Sequence, residues 1–407
     1  MAGGDGERGG ADDPVPDILQ AWSGADPNGD GWEALVYTDA ELHGPPDPLE
    51  VGPFQMFLTY SDLTHPSPTA STRLLLRARY TLTPPRPAPD LDQMKANARW
   101  WLNVQLDQQA ACLLSLALGV RMRSGGRTRR FSPNADPAGV PELLPHRAPT
   151  LALFQPVHSA WPALAHAAVD IRDAETDLKL LPAMSAEDAR VLLRAARHFA
   201  TALWIADDDP EQAWLQLVTA AEVAATHYQR EEQDAVDLFR RSAPGKVATA
   251  LIEASTAPDL LAPIAGAFHS HLRATSRFQR FFADFAPPPP APRPLTEAAR
   301  LDWSTKALKN ALGRVYELRS RLLHDGQPFP YTLLQPPERD QDIPAERPFR
   351  YRDGYGVGPI AWPLDELPMY LPTFAHIVHM SLLRWWRSLP PGPEQRAGSA
   401  APGPELR

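Results

Sequence analysis

At 407 residues, with 43% apolar and 22% charged side chains, the chain has the composition of an ordinary soluble protein long enough for two domains. A net charge of −9 repels polyanions over the whole molecule, so a nucleic-acid partner would have to be drawn to a local basic patch. The single cysteine, Cys112, excludes an internal disulfide and a cysteine-rich zinc site.

Residues 1–30 are rich in Gly, Asp and Pro and read as a disordered tail. They lack the basic start and apolar core of a signal peptide, and the longest strongly apolar run, Ala110 to Val120, is too short for a bilayer. A cytoplasmic protein with no membrane segment is expected. Asp26, Asn28, Asp30 and Gly31 imitate the opening of an EF-hand loop. Tyr37 stands where the bidentate Glu should be, so the stretch reads as an Asx-rich turn.

Residues 31–160 read as an α+β domain suited to sensing. Strands are predicted at 32–38, 54–60 and 72–82, and the last alternates Leu74, Leu76, Ala78, Tyr80 and Leu82 against Arg73, Arg77 and Arg79. A helix is predicted over 90–118, stopped by Gly119, then a hairpin over 120–131 around Ser124, Gly125 and Gly126, then a strand over 150–154. The hairpin carries Arg121, Arg123, Arg127, Arg129 and Arg130, the densest basic cluster in the chain. Such a cluster either contacts phosphates of RNA or forms a solvated face.

After a linker at 161–184, residues 185–335 read as a helical bundle. Ser185 precedes Asp188 as a capping pair, and Asp209, Pro210 and Gln212 open the next helix. On that helix Trp214, Leu217, Val218, Ala221 and Ala225 face inward, with Glu222 at the edge of their stripe. Further helix follows over 246–285, with breaks near Pro258 and Pro263, then the stiff loop Ala286 to Pro294. Residues 336–390 form a loop-rich extension ending in a helix from Met369, and 391–407 a disordered tail. His269 and His271, two apart, point in opposite directions on a helix. His376 and His379 share a face but lack a third ligand, so no metal is expected. No Gly-rich phosphate loop or nucleophile elbow is present, and no cofactor is expected.

The run from Ala307 to Gly326, ALKNALGRVYELRSRLLHDG, reads as the last helix of the bundle, with Leu308, Leu312, Val315 and Leu322 at helical spacing. Arg319 lies on that stripe, where a cation needs a carboxylate, and Glu222 is the natural candidate. His324 follows five residues later, then Asp325 and the helix-stopping Gly326.

The stretch YELRSRLLHDG resembles the final helix of ApeA-like HEPN domains, with their Arg, four to six residues, His spacing, and TAAEVAA around Glu222 resembles the "ALE" helix of that family. The fold class expected is therefore α+β, predominantly helical, with a HEPN-type bundle. The resemblance implies a metal-independent endoribonuclease whose catalytic residues are Arg319 and His324, supported by Glu222, Ser320 and Asp325. It implies a homodimer with a composite cleft, an RNA substrate, and a role in bacterial defence set off by a phage or cellular trigger. The alternative is an inactive HEPN module that dimerises or binds a partner.

Overall fold

In the computed structural model the alternating segment is one of two central strands in a six-stranded antiparallel sheet. The strands are β1 (Ala25–Tyr37), β3 (Leu49–Val51), β4 (Phe54–Leu58), β5 (Thr72–Tyr80), β6 (Arg123–Phe131) and β7 (Val140–Pro141), in the order β3-β4-β5-β1-β6-β7. The structure describes residues 15–59, 72–81, 104–132, 138–142, 168–229, 234–253, 258–350 and 362–392. The strand expected over 150–154, most of the N-terminal half of the helix expected over 90–118, and the tail from 393 lie outside these residues. The chain divides into two units: one of residues 1–154, 164–200 and 386–407, the other of 155–163 and 201–385.

In the first unit, Leu74, Leu76 and Ala78 of β5 and Trp32, Ala34 and Val36 of β1 are buried, the two-residue period that a half-buried sheet requires. The tail expected over 1–30 carries structure from Asp17 onward. Residues Asp17–Ser23 form helix α1 because Ile18, Leu19 and Ala21 are buried, and β1 already begins at Ala25. The Asx turn is present, with the Asn28 amide donating to Asp26 Oδ1 at 2.9 Å.

The expected hairpin over 120–131 is instead one strand. All of β6 pairs with β1, and its register slips by one residue between Ser124 and Arg127 and again between Arg127 and Arg129. The Gly125-Gly126 pair serves a bulge rather than a turn, and Gly126 takes φ +101°, a conformation that favours glycine. Helix α2 (Leu106–Leu118) starts after extended Gln105 and ends at left-handed Gly119. It is buried on nearly every side, and burial pushes the Cys112 thiol up to about 11, so this cysteine is not a nucleophile near neutral pH.

The expected linker carries structure. Strand β8 (Ala168–Asp170) pairs in parallel with β2 (Glu41–His43), and α3 (Asp173–Leu178) holds the fully buried Asp177, which accepts from Arg387 Nε at 2.6 Å and Nη2 at 2.9 Å. Helix α4 (Ala186–Ile205), divided between the units, begins at the Ser185 cap, whose hydroxyl accepts from the Asp188 amide at 3.0 Å.

The second unit is helical: α5 (Pro210–Tyr228), α6 (Ala235–Arg241), α7 (Ala243–Glu253), α8 (Leu261–Asp284), α9 (Thr305–Asp325) and most of α10 (Leu371–Ser388). Asp209 caps α5 through the Gln212 amide at 3.0 Å. Pro263 does not break α8, because it falls in the first turn, where no intrahelical N–H partner is lost. Trp214 stacks on Phe329 and Phe374, and Phe278, Phe281, Phe282 and Trp385 complete an aromatic core. The helix expected at the end of a loop-rich extension is thus a core element, since Phe374, Ile377, Val378 and Leu382 are buried.

Three contacts fix the helix directions. Glu222 of α5 meets Tyr316 and Arg319 of α9, while Glu211, three turns earlier, accepts from the Phe329 amide just beyond α9. Tyr228 at the end of α5 meets Asp284 at the end of α8, and Tyr316 packs on Phe278. So α9 runs antiparallel to α5 and α8, which are parallel to each other.

The Pro-rich segment before α9 is held by Glu346, whose side chain is 2% exposed. Arg293 donates to both its oxygens at 2.7 Å, and the Leu301 amide adds a third bond at 2.7 Å. Arg293→Ala leaves this carboxylate buried without its cation and should cost about 3 kcal/mol or more, read as a lower denaturant midpoint. An unchanged midpoint would show that the loop is not held this way. Among the described residues no helix is long and apolar enough to cross a membrane.

Candidate functional site

Helix α9 forms because Ser304 caps it through the Ala307 amide and because apolar residues recur at its inner face. Leu308, Leu312 and Val315 are buried as the spacing predicts, and Tyr316 and Leu318 join them. Leu322, in the last turn, is only half-buried and Leu323 is 51% exposed, so the helix rises out of the core as it reaches His324. Gly326 ends it in the left-handed conformation, with its amide on Leu322 and that of Gln327 on Arg321.

Arg319 and Glu222 meet as the stripe demands: Nη2 donates to Oε2 at 2.9 Å, and the two side chains are 22% and 21% exposed. The other carboxylate oxygen accepts from the Tyr316 hydroxyl at 2.9 Å, and the Arg319 guanidinium lies 5.7 Å from the centre of the Tyr316 ring. Tyr316 therefore holds Arg319 twice, by its ring directly and by its hydroxyl through Glu222. Reading the motif alone passes over this residue, although its place three before Arg319 puts both on one helical face. Burial, and then the Glu222 charge and hydrogen bond, raise the phenol above its ordinary range, while Arg319 opposes them.

His324 stands apart. It is exposed at the helix exit, about 7.5 Å further along the axis than Arg319 and turned about 140° from it. Arg321 pairs with Glu317 on the same outer surface. Ser320 is half-buried and Asp325 exposed, and among the described residues neither side chain hydrogen-bonds to Arg319 or His324. One chain thus supplies a fixed guanidinium and a separate, solvated imidazole.

The chain matches no family model, no curated protein and no solved structure at a significant level. What stands for the HEPN reading is the motif and its setting.

The arginine cluster of the first unit is mostly neutralised. Arg121 is buried on Asp39 at 3.1 Å, Arg127 lies 3.5 Å from Asp107, Arg129 3.7 Å from Glu33 and Arg130 3.2 Å from Glu142. Arg123 is exposed. The neighbouring Arg77 also shares Glu33, at 2.9 Å, and lies over the Phe57 and Phe131 rings, so this sheet face is a packed charge network rather than a solvated one. No group of His, Cys, Asp and Glu among the described residues could hold a metal. His376 instead makes a 3.0 Å hydrogen bond with the Pro288 carbonyl, and burial pulls its pKa below the ordinary value.

Replacing Tyr316 by Phe keeps the ring and removes one hydrogen bond from Glu222, which should cost about 1–2 kcal/mol near neutral pH. The phenol of the unfolded chain ionises near pH 10 while the folded one stays neutral, so its contribution is present below about pH 10 and is lost as pH rises further. Wild type should therefore lose stability above about pH 10 more steeply than Tyr316→Phe, by up to about 1.4 kcal/mol per pH unit. Urea midpoints at neutral and alkaline pH test this, and parallel pH profiles would refute it.

Proposed function

We propose that the second unit is a metal-independent endoribonuclease of the HEPN type. Cleavage of RNA by its own 2′-hydroxyl needs a base for that hydroxyl, an acid for the departing 5′-oxygen, and positive charge at the phosphorane oxygens. Histidine serves as acid or base near neutral pH, and arginine offers a planar fork of five N–H donors to a phosphate. The observation that carries the reading is the immobilised Arg319, with one donor on Glu222, on the same helix as an accessible His324. Because the two side chains of one copy diverge, the complete cleft is a composite of two copies, each giving an Arg and a His.

The second reading is a non-catalytic dimerisation or interaction module. The Glu222 pair favours it in part, since a purely structural bundle would answer an arginine on its stripe in the same way.

Purified protein incubated with total RNA separates the two. Wild type should cut with and without EDTA, leaving 2′,3′-cyclic phosphate ends, and Arg319→Ala and His324→Ala should each abolish cutting. His324→Ala, at an exposed position, should cost under about 0.5 kcal/mol, and Arg319→Ala about 1–2 kcal/mol. Intact RNA with wild type, or full activity in His324→Ala, leaves the interaction module standing. Light scattering should report a dimer; a 44.8 kDa species alone would contradict the composite cleft.

A further inference from the structure

Helix α8 carries Arg273, Arg277 and Arg280 in unlike settings. Arg280 lies 3.6 Å from Asp284, an ordinary ion pair one turn apart. Arg273 and Arg277 are also one turn apart, about 6 Å along the axis, and both are half-buried. Among the described residues neither has a carboxylate oxygen within 4.0 Å. The Nε of Arg273 is buried with no hydrogen-bond partner. Burial first, and then the charge of Arg273, pull the pKa of Arg277 below its ordinary value.

Two partly desolvated cations held side by side with no counter-charge among the described residues are unfavourable for the free protein. An anion between them would reverse both the repulsion and the unmet donor. Phosphate fits by chemistry, since two guanidinium forks converge on tetrahedral oxygens and arginine binds such groups bidentately. The helix directions place the pair along the bundle. Phe278 is level with Tyr316, and α8 and α9 run oppositely, so Arg277 and Arg273 stand about 3 Å to either side of the height of Arg319, with His324 about 4.5 Å beyond Arg273.

We infer that Arg273 and Arg277 form a phosphate-binding site on α8 that takes a phosphodiester of the RNA strand. The identity of the strand rests on the ribonuclease reading; the anion chemistry does not.

The test uses the full chain carrying His324→Ala, so that binding is measured without cleavage. Binding of labelled single-stranded RNA is titrated at several salt concentrations, and thermal midpoints are taken with and without inorganic phosphate. Adding Arg273→Gln and Arg277→Gln together should weaken RNA binding about tenfold or more at low salt. It should also reduce the salt slope by about 1.4, the effect of two lost contacts to a single strand. Arg280→Gln should change the slope less. Without ligand the double variant should melt at or above the parent temperature, because a repulsion has been removed; a marked drop would mean that the arginines are structural and would overturn the site. Arg273→Lys with Arg277→Lys should keep the slope and lose part of the affinity. An unchanged affinity and slope in the double Gln variant overturns the proposal. If phosphate raises the parent midpoint and not that of the double variant while RNA binding is unaltered, the RNA assignment is overturned in favour of a free phosphate ligand. Wild type that binds RNA through this pair but does not cut it would refute the ribonuclease reading alone.

Discussion

The buried stripe of α9 can exist only because Glu222 answers Arg319. A guanidinium on a packed helical face, left to itself, would cost several kcal/mol, and α9 would have to turn its apolar residues out of the core. With the carboxylate on α5 in reach and the Tyr316 hydroxyl completing its other oxygen, the same face carries both Val315 at the centre of the unit and a fixed cation at its margin. Further along, where Leu323 is exposed, the helix is free of the core, and there the imidazole is found.

The same solution recurs through the chain. Arg293 closes on Glu346, Arg387 on Asp177, Arg121 on Asp39, and Arg77 and Arg129 share Glu33. A composition with 35 arginines and 5 lysines is put to structural use: in the Arg293 and Arg387 pairs the fork satisfies both carboxylate oxygens, where an ammonium would satisfy one. Against that background a guanidinium pair without a carboxylate among the described residues is informative, and a basic run in the sequence is not.

What was legible in the sequence follows from how local its cause is. The caps at Ser185 and Asp209, the stop at Gly326 and the alternation of β5 depend on neighbours within a turn or a strand, and they stand where the spacing put them. The Glu222–Arg319 pair was readable because two stripes each carried one uncompensated charge. Tyr316 as the third member was hidden, since its hydroxyl needs a partner 94 residues away and its ring alone is ordinary core. The helix α1 within the supposed tail, the strand β8 within the supposed linker, and the entry of α10 into the core all depend on distant partners, and composition misjudged them. Gly125 and Gly126 fit a hairpin as well as a bulge. Only pairing of all of β6 with β1 decides between them.

That strand has a further consequence. Each slip in register takes up one extra residue of β6, and the residues beyond it keep the face of their partners on β1. Ser124, before the first, can reach Asp107 at 2.5 Å, while Arg129, after the second, still shares Glu33 with Arg77. The faces at the two ends are therefore set by their partners on β1 and not by the number of residues between them. A single residue gained or lost between Ser124 and Arg129 can be taken up by adding or removing a bulge, so this stretch of β6 tolerates a change of length that a regular ladder would not.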